Sequence, residues 1–206
     1  NPLFTPRLDP RALPIVLQPR LALPGEPPLV GLHELPPAHT LTFSRDGLTR
    51  RRYWRLTSAP HLDTWEQTVE RVRELVTDSV RRQLPAVGPC GAMLSGGVDS
   101  TSVVALATRA LGEREPRRTL ATYCVQFASD PDHFAPTELR PDVDAPYAAA
   151  AAEYLGTAHT TLTLTTEDLM AAVPATRRAR DLPGWGQFDA SMFLLFVDRK
   201  STRLNS

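Results

Sequence analysis

Residues 95–100 read Ser95-Gly96-Gly97-Val98-Asp99-Ser100, and their flanks limit this chain more than any other feature. Before them stands a short apolar run, Cys90 to Leu94. After them comes a helix-like run, Thr101 to Leu111, closed by Gly112. A strand, a glycine turn and a helix start make a site for anions. Glycines let the backbone come close and turn its N–H groups outward, and the helix dipole favours negative charge at that end. No Lys follows the glycines, which excludes the lysine-bearing phosphate loop. Side-chain capping by Asp99 and Ser100 is compatible with a phosphate role.

The order downstream fixes a fold class. A strand over 90–94, the glycine loop and a helix over 100–111 come first. A strand over 119–127 and a polar loop over 128–143 follow. That loop carries Asp130, Asp132, Glu138 and Asp142. The helix over 144–155 opens with Asp144 and Pro146 and closes at Gly156, as capping chemistry predicts. A strand over 159–164 and a helix from Thr166, kinked or split at Pro174, complete the run. Alternating strands and helices predict an α/β fold, a Rossmann-like parallel sheet flanked by helices. Ligands of such sheets bind beyond the carboxyl ends of the strands.

The first part of the chain differs. Eight prolines before residue 30 exclude long regular elements, leaving room for one short helix over Asp9–Leu17. His39 to Phe43 alternates, Ser44-Arg45-Asp46-Gly47 is a turn, and Leu48 to Leu56 returns, which predicts a hairpin. Thr57-Ser58-Ala59-Pro60 reads as a linker, placing a domain boundary between 57 and 58. The helix over 63–84 has Asp63 as cap and Glu66 as the matching capping-box residue. Trp65, Val69, Val72, Val76, Val80 and Leu84 make one apolar stripe, read as core packing.

Charge is balanced, with 23 basic and 23 acidic residues, so no basic face argues for nucleic acid. Arg51-Arg52 and Arg177-Arg178 read as solvated faces. No apolar run approaches the roughly 20 residues of a membrane span. Cys90 and Cys124 fall in predicted strands and read as small core hydrophobes, which suits a cytoplasmic setting. His33, His39, His61, His133 and His159 lack metal-ligand spacing. Of the basic residues only Lys200 is lysine, and Asn occurs only as Asn1 and Asn205. Residues 199–206 therefore stand apart in composition and read as non-native to the protein.

The Ser95–Ser100 motif resembles the PP-loop of ATP pyrophosphatases, which split ATP between the α and β phosphates. The flanks narrow the resemblance. Leu35-Pro36-Pro37-Ala38-His39 with Tyr53-Trp54 is similar to the end of the glutaminase domain of glutamine-hydrolysing asparagine synthetases. Tyr147 to His159, with Ala152-Glu153-Tyr154-Leu155-Gly156-Thr157-Ala158-His159, resembles the second strand–helix–strand unit of that family. Asp181-Leu182-Pro183-Gly184 with Phe188-Asp189-Ala190-Ser191 resembles the branch holding lasso-peptide cyclases.

The resemblance implies a β-rich glutaminase remnant over 1–57 and the first part of a synthetase domain over 58–206. It implies ATP and Mg²⁺, adenylation of a carboxylate such as aspartate, and amide formation with ammonia from glutamine. A homodimer is an option for the full-length enzyme. Ser95, Gly96, Gly97 and Ser100 would hold pyrophosphate, Asp99 would hold Mg²⁺, and the Leu94 and Val125 backbones would contact adenine. No catalytic residue is assigned with certainty. The glutamine-attacking Cys of the family and its later acidic loop are not in this sequence, so the chain reads as an internal piece that is inactive alone. Two alternatives stay open: a peptide cyclase or β-lactam synthetase using an internal amine, and a non-catalytic nucleotide-binding fragment.

Overall fold

The computed structural model describes residues 4–12, 14, 27–129, 134–136, 138, 142–180 and 187–204. The chain divides into two compact units. One comprises Asn1–His61 with Pro174–Asp189, and the other Leu62–Val173 with Ala190–Ser206.

In the first unit the short helix expected over Asp9–Leu17 is a 3-10 turn, Pro10–Ala12. Apart from Pro14, the rest of that stretch lies outside the described residues. Proline suits the first helical position. Asp9 accepts from the Arg11 backbone N–H at 2.9 Å and from its guanidinium at 2.7 Å. Those bonds hold the Asp9 carboxyl down to about 2. The hairpin is present as β1 (His39–Ser44) and β2 (Gly47–Arg52), paired antiparallel with Ser44 opposite Gly47. Ser44 Oγ accepts from Asp46 N–H at 3.1 Å, and the left-handed step falls on Gly47, at φ 113°. Strand β2 stops at Arg52, short of the expected Leu56, where Arg52 Nε turns to donate to the Trp54 carbonyl. The hairpin is largely exposed, Phe43 by 81%.

The second unit opens with α1, Trp65–Gln83. Its cap is Thr64 with Gln67, one residue later than the expected Asp63 with Glu66. Thr64 Oγ1 accepts from Gln67 N–H at 3.3 Å, and Gln67 Oε1 accepts from Thr64 N–H at 2.9 Å. The pair satisfies two orphan N–H groups reciprocally. The stripe expected in the core packs only at its far end. Val80 is buried and Leu84 lies against the core, whereas Trp65 is 76% exposed and Val72 53%.

Strand β3 (Gly91–Met93), helix α2 (Val98–Arg114), strand β4 (Ala121–Phe127), helix α3 (Asp144–Leu155) and strand β5 (Ala158–Leu164) follow. Helix α2 is longer at both ends than the expected 100–111. Helix α3 has the expected bounds, with Gly156 left-handed at its end and its N–H on Ala152 O and Glu153 O. The strands form the expected parallel sheet, and their order is β3-β4-β5, with Met93 opposite Tyr123 and Val125 opposite Leu162. Helices α2 and α3 pack against each other and the sheet. Leu94, Val104, Leu111, Leu120, Cys124, Ala148 and Ala152 form the core between them. Each fully buried leucine contributes roughly 1.5–3 kcal/mol relative to exposure.

Helix α4, Thr166–Arg180, runs through Pro174, where the division between units falls. That proline leaves the Met170 carbonyl without its helical donor. Helix α5 is Gln187–Leu204. Within the motif Asp181–Gly184 with Phe188–Ser191, the first half lies outside the described residues and the second opens α5. Of the acidic loop over 128–143, Asp130 and Asp132 also lie outside them.

Candidate functional site

The glycine loop leaves the carboxyl end of β3. Leu94 is fully buried, and its N–H donates to the Tyr123 carbonyl at 2.9 Å, extending the pairing with β4 by one residue. The chain turns through Ser95 and Gly96 and enters α2 with Gly97 as N-cap. No side chain caps this helix, so the capping role open to Asp99 and Ser100 is not taken. The first helical bond is Thr101 N–H to the Gly97 carbonyl at 3.0 Å. The N–H groups of Val98, Asp99 and Ser100 therefore precede the helical ladder and present the positive end of the dipole.

The Ser100 hydroxyl is the hub of the loop. It donates to the Gly97 carbonyl at 3.2 Å and accepts from Ser95 N–H at 3.2 Å. Ser95 Oγ lies 3.0 Å from it. A hydroxyl has one proton. With that of Ser100 on Gly97, the Ser95 hydroxyl must donate to Ser100. Both protons are then spent inside the loop, and the backbone N–H groups are what it offers outward.

The two glycines have different tasks. Gly96 has φ 79°, and a Cβ there would lie 2.5 Å from Tyr147 Cβ and 2.6 Å from Ala148 N on α3. Its freedom serves a backbone-to-backbone contact with α3, which no substituted residue could make without displacing it. A Cβ on Gly97 would meet only Ser95 Oγ, at 3.7 Å. Close approach by an outside group is therefore open at Gly97.

Asp99 is exposed in the first turn of α2. Among the described residues no group of three or more His, Cys, Asp and Glu is placed to hold a metal ion. A lone carboxylate suits Mg²⁺ only when phosphate oxygens supply other ligands. Val125 lies on β4, next to the strand end at which Leu94 sits, so the predicted residues share one unit. A cavity of about 520 Å³ opens elsewhere, between Gln126, Thr161 and Thr163 on the strands and Val143, Ala145, Pro146 and Ala149 at the start of α3. None of the predicted site residues lines it.

Two residues beside the loop are not among the predicted site residues. Tyr147 abuts Gly96, and its hydroxyl donates to Asp142 Oδ2 at 2.9 Å. That bond, aided by the Val143 N–H, lowers the Asp142 carboxyl and raises the Tyr147 phenol. Only the capped start of α3 hinted at their placement. Burial pushes the Cys124 thiol up, with the Asp144 charge adding, consistent with an inert core cysteine. No helix among the described residues is long and apolar enough to cross a membrane.

The asparagine synthase family matches residues 71–202, which include the whole glycine loop. The chain is 36% identical over 169 residues to asparagine synthetase [glutamine-hydrolyzing] 3 of Bacillus subtilis (strain 168), covering 82% of this chain and 27% of that protein. It is 37% identical over 79 residues to a probable asparagine synthetase [glutamine-hydrolyzing] of Acanthamoeba polyphaga mimivirus, covering 38% and 14%. It is 31% identical over 145 residues to asparagine synthetase [glutamine-hydrolyzing] 2 of Arabidopsis thaliana, covering 67% and 22%. The chain thus spans at most about a quarter of the length of these relatives. A glycine loop between a parallel strand and a helix, inside a match that long, makes this chain a member of the asparagine synthase family.

Proposed function

We propose that this chain carries the ATP-binding part of an ATP-dependent carbon–nitrogen ligase of asparagine synthetase type. The observation that supports the reading is the loop Ser95–Ser100, set between β3 and α2 within the family match. The substrate carboxylate, aspartate in this reading, bonds to the α phosphorus of ATP, and pyrophosphate leaves. Ammonia derived from glutamine then attacks the acyl carbon, AMP leaves, and the surplus proton goes to solvent. Catalysis is placement and charge neutralisation.

The N–H groups at the start of α2, that of Ser100 included, with Gly96 and Gly97, hold the pyrophosphate; Ser95 and the Ser100 hydroxyl join them once their bonds inside the loop are exchanged for phosphate oxygens. The Leu94 and Val125 backbones hold adenine. Asp99 is the ligand this chain supplies to Mg²⁺, which neutralises triphosphate charge when bound. Residues 1–57 are read as the end of a glutaminase-type domain, on Leu35-Pro36-Pro37-Ala38-His39 and the hairpin after it. The full-length enzyme is read as cytoplasmic, with a homodimer as its assembly. A cyclase reading, with an internal amine as nucleophile, draws on Phe188-Asp189-Ala190-Ser191 at the start of α5.

The test uses the full-length protein carrying this segment. Asp99→Asn should lower pyrophosphate release with ATP, Mg²⁺, aspartate and ammonia by ~100-fold or more, leaving glutamine hydrolysis nearly intact. Equal pyrophosphate release by variant and parent would overturn the assignment. Release that ignores aspartate and ammonia but responds to a substrate bearing its own amine would favour the cyclase.

A further inference from the structure

We propose that Tyr147 is a positioning residue for the glycine loop, and that Asp142 holds it in place. The inference rests on the reading of residues 95–100 as a phosphate site. Gly96 leaves no space for a Cβ because Tyr147 Cβ, the Tyr147 carbonyl carbon and Ala148 N occupy it, at 2.5, 2.6 and 2.6 Å. The first turns of α3 are thus the floor on which the loop rests. A shift of α3 moves Gly96, and with it the N–H groups that follow at the start of α2.

Core packing of Ala148 and Ala152 seats the helix, and one carboxylate braces its first turn. Helix α3 has Val143 as N-cap and no side-chain cap bond. Asp142 stands in for a cap from just outside. Its Oδ1 accepts from Val143 N–H at 2.8 Å, and its Oδ2 accepts from the Tyr147 hydroxyl at 2.9 Å. The two bonds span the first turn of α3 like a brace, and the braced tyrosine is the residue that meets Gly96. Tyr147 is 55% exposed, so burial of its ring does little to hold it. The hydroxyl bond supplies the constraint. Asp142 ends the loop that follows β4, whereas Gly96 lies in the loop that follows β3. The brace therefore ties together two loops at the carboxyl ends of adjacent strands, where ligands of parallel sheets bind.

The test uses this chain with four variants: Tyr147→Phe, Asp142→Ala, Asp142→Asn and the double variant Y147F/D142A. Two quantities are read, amide hydrogen exchange over 95–101 and Mg-ATP affinity by calorimetry. Tyr147→Phe keeps the ring and removes only the hydroxyl. It and Asp142→Ala should each speed loop exchange and weaken Mg-ATP binding by roughly 2- to 10-fold, a part of what a hydrogen bond to a carboxylate supplies, because the brace acts on the loop indirectly. Asp142→Asn keeps a carbonyl oxygen for the phenol to donate to and should restore values near the parent. The double variant should be no worse than Asp142→Ala alone, because the hydroxyl bond that Tyr147→Phe removes is already broken there. Exchange in the hairpin over 39–52 should not change.

Loop exchange equal to the parent in Tyr147→Phe overturns the inference whatever the nucleotide does. Faster exchange with unchanged Mg-ATP affinity also overturns it, since the tyrosine would then order the loop without setting its binding geometry. A parent chain that binds no Mg-ATP overturns the phosphate reading instead, and exchange alone then decides whether the brace exists.

Discussion

Helices α1 and α3 belong to the same unit and invert the relation between pattern and burial. Helix α1 has the cleaner apolar stripe, yet Trp65, Val69, Val72 and Val76 are all exposed and only Val80 is buried. Helix α3 is an alanine run with little amphipathic contrast. Its Ala148 is fully buried, Ala152 nearly so, and its backbone touches that of Gly96. Periodicity reports that a helix forms and which face is apolar. How closely a helix packs depends on side-chain size at the contact, and small residues allow backbones to meet. The helix on which Gly96 rests is therefore one whose sequence announces burial poorly.

The strongest way to break this comparison is to fill the contact. Gly96→Ala places a Cβ against the α3 backbone and forces a non-glycine residue into φ 79°. Left-handed strain and overpacking together should cost about 2–5 kcal/mol. Gly97→Ala, with only an ordinary contact to Ser95 Oγ, should cost less than about 1 kcal/mol. Denaturant midpoints of the two variants decide it. Equal losses would mean the glycines share one task.

The contrast between helices sharpens at one residue each. Ala148→Val adds volume where none is free and should destabilise by about 1–3 kcal/mol. Val72→Ala, at a side chain 53% exposed, should change stability by about 0.5 kcal/mol or less. A large loss at Val72 would show that the α1 stripe is covered in solution.

Helix ends show what can be read from residues in order. Both bounds of α3 were legible because capping is local: Pro146 sits in its first turn and Gly156 takes the left-handed position. The start of α1 was legible only to within one residue. Asp63 with Glu66 and Thr64 with Gln67 are overlapping capping boxes, and nothing local separates them. The loop at 95–97 was legible as a turn, whereas the division of labour between Gly96 and Gly97 was not. That division depends on Tyr147, which no local pattern links to position 96. The burial of α1 was misread for a related reason, since a stripe specifies a face and not its partner. Strand β2 ends at Arg52, whose Nε donates to the Trp54 carbonyl, a local bond its alternating pattern does not encode.

The capping box gives a smaller test. Thr64→Ala removes one half of a reciprocal pair and should cost about 1 kcal/mol. Asp63→Ala should cost roughly a tenth to a few tenths of that, since it carries no cap bond in α1. Thermal midpoints of both variants check the register of the cap. A larger loss at Asp63 would return the cap to the position expected from Asp63 and Glu66.

The smallest expected effect lies under α3, on the sheet, and depends on pH. His159 Nδ1 is 2.9 Å from Thr122 Oγ1, and its Nε2 is 3.3 Å from Thr161 Oγ1. Thr122 is fully buried and also contacts Thr157 Oγ1 at 2.8 Å. Burial lowers the imidazole below its ordinary value. The hydroxyls themselves adapt to protonation: Thr122 can turn its proton toward Thr157 and accept from a protonated Nδ1. What remains is the cost of charge in a half-buried place. The unfolded chain then holds the extra proton at a higher pH than the folded one. Stability is therefore full above about pH 6.5, the ordinary histidine value, and falls as pH drops through it. The fall ends once pH is below the lowered folded value. His159→Gln, which cannot titrate, should flatten that part of the melting-temperature profile while changing it little at neutral pH. A profile as steep in the variant as in the parent would assign the slope to another group and leave the Thr122–His159 contact as packing alone.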